Sequence, residues 1–235
     1  MGRVFEKRKH KMFARYDRMA KSFTRIGKEI AIAVKQSGAN PDSNPRLRTV
    51  IQNAKSVNMP KDRVDAAIKR ASAKDASTFE EIVYEGYGPH GVAIVVETAT
   101  GNPTRTVSNV RMHFARGGGL LGKTGSLDFL FERKGVFKIE KENLTFDEIE
   151  LELIDYGLED IAIDENEAYI YTSFNAFGSM AKVLDEKKIK VISAEKQRIP
   201  NNYIELNEIQ QEDVMKLIES LEQDDDVQHV YHNLK

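Results

Sequence analysis

The hydrophobic period of this 235-residue chain changes once, near residue 79, and the change limits what each part can fold into. Before it, apolar side chains recur every three to four residues. Phe23, Ile26, Ile30, Ala33 and Val34 share one helical face, and Gly38 stands where a helix C-cap glycine is expected. Asn44-Pro45 reads as an N-cap with proline at the first helical position, ahead of Leu47, Val50, Ile51, Ala54 and Val57 at helical spacing. Pro60 gives the same start signal to a helix bearing Val64, Ala67, Ile68 and Ala71. Residues 1 to 20 are polar and basic, with Phe5, Met12, Phe13 and Tyr16 as anchors, and are expected to be a partly ordered arm.

From residue 79 the period is two. Segments 82–84, 92–97 and 126–132 read as strands, with a helix over 104–116 between the last two. Strand 136–140, helix 146–156, strands 159–164 and 168–173, helix 175–187 and strand 190–197 follow in order. That is β-α-β-β-α-β, the ferredoxin-like order, complete within residues 134 to 200. The remaining pieces, 79–133 and a helix 207–222 with a strand 227–231, cannot close a core separately, so they are expected to combine around the inserted segment. The fold class expected is therefore α+β. A helical domain (1–78) precedes two ferredoxin-like α/β domains, one (134–200) inserted into a discontinuous other (79–133 plus 201–235).

Charge divides at the same place. Residues 1 to 78 hold 19 Lys/Arg against 7 Asp/Glu, a net +12, while residues 79 to 235 hold 16 against 30, a net −14. Segregation of this size on one chain points to a module for a polyanion carried on a body that repels it. In residues 1 to 28, ten Lys/Arg face two acids, an excess that cannot be neutralised locally and that suits phosphate contacts with strong salt dependence. Arg48, Gln52 and Lys55 follow an i, i+4, i+7 line opposite an apolar face, and Arg63 and Arg70 are seven apart on the next helix. Lys69 has Asp65 four residues earlier and is expected to pair with it. The nucleic-acid contacts are expected from Arg3, Lys7, Arg8, Lys9, Lys11, Arg15, Lys21 and Arg25 on the arm and first helix. Arg46, Arg48, Lys55, Lys61, Arg63 and Arg70 are expected to supply the rest.

Other chemistries find little support. The segment Gly117 to Thr124 fits G-x-x-x-x-G-K-[ST] at every fixed position, but a phosphate loop follows a strand and opens a helix, and here a helix precedes and an alternating segment follows. Its glycines read as a helix-to-strand connection whose Arg116 and Lys123 can reach a phosphate backbone from outside. Glu85-Gly86-Tyr87-Gly88 begins like an RNA-recognition signature, yet Glu85 would repel RNA where Lys or Arg is required. His229 and His232 are three apart on a strand and point to opposite faces, away from a shared metal. No nucleophile elbow or Ser/His/Asp arrangement is legible, and no catalytic, metal or cofactor residue and no small-molecule substrate are expected. With no cysteine, no apolar run long enough for a membrane span and neither a secretory nor a myristoylation pattern, a cytoplasmic setting is expected.

Asn44-Pro45-Arg46-Leu47-Arg48, Asn58-Met59-Pro60-Lys61, Tyr84 through Pro89 with Gly91-Val92-Ala93, and Gly118 through Gly125 followed by Phe131 to Val136 together resemble the YebC family. The resemblance spans residues 20 to 235. It implies three domains and a cytoplasmic DNA-binding transcriptional regulator; other members look like translation factors, including one that relieves ribosome stalling and a mitochondrial activator of cytochrome oxidase synthesis. Where most members open Gly-His-Ser-Lys-Trp, this chain has Gly2-Arg3-Val4-Phe5-Glu6-Lys7-Arg8-Lys9, which keeps the basic character and loses the Trp. The expected function is non-enzymatic nucleic-acid binding in the regulation of gene expression, at DNA or, alternatively, at ribosomal RNA on the ribosome. A nucleotide-using enzyme built on residues 117 to 124, and an adaptor docking its arm on an acidic protein, are the competing classes.

Overall fold

The protein is described by a computed structural model over residues 3–141, 145–164 and 167–235, side chains of residues up to 18 and of Asp147 lying outside the description. The chain separates into two units, residues 1 to 79 and 80 to 235.

The first unit holds α1 (Arg3–Ser37), α2 (Pro45–Ser56) and α3 (Lys61–Ala71). The backbone of α1 runs through the segment expected to be a partly ordered arm. No Gly or Pro interrupts residues 3 to 26, and Lys, Arg, Met and Ala are among the better helix formers. Ile26, Ile30, Ala33 and Val34 of α1 pack on Leu47, Val50 and Ala54 of α2 and on Val64, Ala67 and Ala71 of α3. Asn44 fixes the corner between α1 and α2. Its Oδ1 accepts the Leu47 N–H at 3.0 Å as the N-cap of α2, while its Nδ2 donates to the carbonyls of Ala33 and Gly38 at 2.8 Å each. Gly38, at φ +86°, ends α1 as expected of a C-cap glycine.

The second unit has two four-stranded antiparallel sheets. The first contains β1 (Glu80–Tyr87), β2 (Ala93–Thr100), β3 (Leu120–Leu121) and β8 (Val227–His232), ordered β3-β1-β2-β8. The second contains β4 (Phe131–Glu140), β5 (Leu158–Ile163), β6 (Glu167–Ser173) and β7 (Val191–Pro200), ordered β5-β6-β4-β7. With α5 (Phe146–Leu153) and α6 (Phe177–Glu186) at their places in the chain, the second sheet has the ferredoxin-like element order. The first sheet takes its strands from both sides of that segment and shares the build of four strands and two helices. Its elements, with α4 (Pro103–Arg116) and α7 (Glu208–Glu222), run β-β-α-β-α-β.

Alternation decides how the first sheet is covered. Ile94 and Val96 of β2 join Val110 and Phe114 of α4 and Val214, Leu217, Ile218 and Leu221 of α7 in one core. Ala93 and Val95, on the opposite face, pack with Leu127 and Phe131. The expected strand 126–132 is thereby corrected: Leu127 is buried, Asp128–Leu130 is a turn of 3-10 helix, and the strand starts at Phe131.

Candidate nucleic-acid interface

The apolar stripe of α2 faces α1, which leaves Arg48 and Lys55 exposed on the far side with Gln52 half-buried between them. Seven residues of helix separate the two cations by about 10 Å along the axis, close to the axial rise over three phosphate-to-phosphate steps on one strand. On α3, Arg63 and Arg70 repeat the spacing, both exposed, and Lys61 stands exposed at the first turn. Among the described residues none of Arg48, Lys55, Lys61, Arg63 or Arg70 makes an ion pair with a carboxylate; Arg48 reaches only the Asp42 carbonyl, at 3.4 Å. Arg63 lies over the ring of Phe23, 5.6 Å from its centroid, a contact that orders the guanidinium and leaves its donors available.

The other expected contacts are placed differently. Arg46 is half-buried and donates to Gln36 Oε1 at 2.9 Å, so it tethers α2 to the end of α1. Lys21 and Arg25 are half-buried on α1. The side chains of Arg3, Lys7, Arg8, Lys9, Lys11 and Arg15 lie outside the described residues. The pairing expected between Asp65 and Lys69 is not formed among the described residues; both stay exposed. Lys28, which sequence reasoning left out, lies 5.4 Å from the centroid of the Phe79 ring.

The segment Gly117 to Thr124 presents no phosphate cradle. It leaves α4 through Gly117 and Gly118, pairs as β3 with β1, and its continuation is fastened to Glu85. The Glu85 side chain accepts the N–H of Gly125 at 2.9 Å and of Leu127 at 2.7 Å, and the residue is only 2 % exposed. Two amides just past the motif, those of Gly125 and Leu127, are thus occupied by an internal carboxylate. The glutamate that would repel RNA in a recognition signature is therefore a clasp for this loop. Arg116 and Lys123 are exposed at its edges.

Tertiary structure does assemble a Ser/His/Asp group that sequence spacing could not reveal. His113 Nδ1 lies 2.6 Å from Ser220 Oγ, and its Nε2 is 3.7 Å from Asp224 Oδ2, which also accepts from Asn109 at 2.9 Å. The group joins α4 to α7 and the turn before β8. None of its members lines the cleft of about 390 Å³ between the two sheets, which is bounded by Val83, Glu85, Thr124, Gly125, Asp128, Phe131, Arg133 and Arg198. The arrangement ties α4 to α7 and to the turn before β8 through partly buried polar contacts. Among the described residues no three His, Asp or Glu side chains converge as a metal site, and His229 stacks on Tyr231 instead.

The family model described as the N-terminal domain of the TACO1/YebC protein matches residues 3–74, and the one described as the TACO1/YebC second and third domain matches residues 79–234. The chain belongs to the TACO1/YebC family. Among its TACO1/YebC relatives, a "probable transcriptional regulatory protein" of Cytophaga hutchinsonii is 61 % identical over 234 residues, covering all of this chain and 98 % of the relative. One of the same description from Anaeromyxobacter dehalogenans is 54 % identical with full coverage of both. The crystal structure of a conserved hypothetical protein from Aquifex aeolicus has a TM-score of 0.79 at 36 % identity, covering 92 % of this chain and 90 % of that one. The TACO1/YebC fold thus extends over both units. Among the described residues no helix is long and apolar enough to cross a membrane.

Proposed function

We propose that this member of the TACO1/YebC family is a non-enzymatic, DNA-binding regulator of gene expression, with residues 1 to 78 as the binding module. The observation that carries the reading is the set of exposed cations, Arg48, Lys55, Lys61, Arg63 and Arg70, without carboxylate partners among the described residues, in a segment of net charge +12. Charges left uncompensated on ordered helices repel one another, and release of counterions from a phosphate backbone offsets that cost. The transcriptional description of the relatives supports DNA as the target. The contacts are backbone-directed, so they fix affinity and salt dependence before they fix sequence.

The body, net −14 over residues 79 to 235, would keep the polyanion on the helical module. Crosslinking in cells, followed by sequencing of the attached nucleic acid, tests the target. Genomic fragments concentrated at a few sites are expected. Ribosomal RNA in their place would move the activity to the ribosome and to translation, and recovery of neither would end the proposal.

A further inference from the structure

An open sheet edge is the feature of the body that its own packing leaves unused. β5 stands at the end of the order β5-β6-β4-β7, so one row of its backbone N–H and C=O groups faces outward, an edge of about 20 Å over six residues. The strand is fixed from within. Leu158 and Ile161 join Ile149 and Leu153 of α5 in one core, and the Gly157 carbonyl accepts the Thr172 hydroxyl at 2.6 Å and the Ser173 N–H at 3.2 Å. A preformed edge costs little further ordering when another strand is added to it.

Open edges are commonly guarded by charge, and the charge here has one sign. Residues 146 to 164 carry eight Asp/Glu and no Lys/Arg. Glu159 pairs with Lys134 and Glu152 with Lys187, but Glu148, Glu150, Asp155 and Asp160 are exposed and make no ion pair among the described residues. Guarding alone does not account for the apolar side chains beside them. Ile163, in register with the core residue Ala168, and Ile154, in the turn that enters β5, are each 53 % exposed. A β-branched side chain on an open edge favours pairing, which a purely defensive edge avoids. Like charges oppose a second copy of the same edge, whereas Lys or Arg on an incoming strand would meet the carboxylates. Charge complementarity thus selects a cationic occupant.

We propose that the outer edge of β5 docks a cationic, extended segment of a partner protein, which pairs as a fifth strand, sets its charge against Asp155 and Asp160 and covers Ile163. The inference is independent of the nucleic-acid reading of the helical module. Fluorescence anisotropy of the full chain with a labelled nine-residue peptide of alternating Lys and Val tests it, beside Lys-Pro and Glu-Val peptides of the same length. Hydrogen exchange of the β5 amides, with and without the Lys-Val peptide, reports where the peptide sits.

Binding of the Lys-Val peptide alone is expected, with slowed exchange within residues 158 to 163. D155N/D160N, which keeps the Asp160 oxygen that accepts the Ile161 N–H, should weaken binding roughly three- to tenfold, and I163S several-fold. E208Q/E219Q, the same loss of charge on α7, should bind as wild type. An equal loss in E208Q/E219Q, or equal binding of the Lys-Pro peptide, would overturn the proposal by reducing it to net charge. Binding without protection at β5 would overturn it as a site elsewhere. Protection that grows with protein concentration in the absence of peptide would put a second copy on the edge and overturn the partner. No binding of the Lys-Val peptide at millimolar concentration and low salt would end the proposal while leaving the helical module untouched.

Discussion

The carboxylate of Glu85 on β1 accepts the backbone N–H of Leu127, 42 residues later, at 2.7 Å, and the N–H of Gly125 at 2.9 Å. Two amides on one buried carboxylate hold the loop that precedes β4. Glu85→Gln keeps the size of the side chain and turns an NH2 group toward at least one donor. A loss of about 2–3 kcal/mol is expected in chemical denaturation. A midpoint equal to wild type would show that the loop is held by something else.

Gly119, immediately before β3, lies against the backbone at the end of β1. A Cβ built there would stand 2.5 Å from the carbonyl oxygen of Tyr87 and 3.0 Å from Gly88 Cα, and both neighbours are backbone. Gly119→Ala must therefore push the short β3 away from its partner. We expect destabilisation of roughly 1–3 kcal/mol, with faster amide exchange at Tyr87 and Leu121. Unchanged exchange at both would contradict the close approach.

Gln228 sits at the bulge where the register of β8 against β2 shifts, 6 % exposed, and neither its Nε2 nor its Oε1 has a hydrogen-bond partner among the described residues. A buried amide left unpaired costs free energy that a similarly sized apolar side chain does not. Gln228→Met is expected to be neutral or to raise the thermal midpoint. A clear fall would mean that the amide has a partner in solution, such as a bound water.

Burial of His232 pushes its imidazole below the ordinary value of 6.5, partly countered by a hydrogen bond with the Leu234 backbone and by Glu222. The unfolded chain then binds the proton more readily than the folded one, so stability rises with pH across this interval. The contribution is fully present above pH 6.5 and is lost as pH falls toward and through the lowered value. His232→Phe should flatten this part of the stability profile, and a profile as steep as wild type would contradict the assignment.

Long periodic segments were legible because their capping residues and their apolar faces agree. Asn44, Pro45 and Gly38 mark the ends of helices whose stripes then pack as expected. Segment 126–132 misleads for a physical reason. Leu127, Phe129 and Phe131 alternate like a strand, yet Leu127 and Phe131 are buried while Phe129 is 70 % exposed, the four-residue spacing of a helical turn. The cations of α2 and α3 could be found from their register on a helix. The Glu85 clasp and the His113–Ser220–Asp224 clamp could not, since each joins residues 40 or more positions apart with no local pattern.

The central claim is that uncompensated cations on α2 and α3 bind a phosphate backbone. Affinity of the full chain for duplex DNA at 50 and 200 mM salt, for wild type and R48E/K55E, tests it most directly. These residues are exposed and make no side-chain contact that the helical core requires, so the melting curve should not move. The account predicts a loss of at least roughly tenfold at the lower salt and a shallower salt dependence. Affinity and salt dependence equal to wild type, in a variant that melts normally, would contradict it.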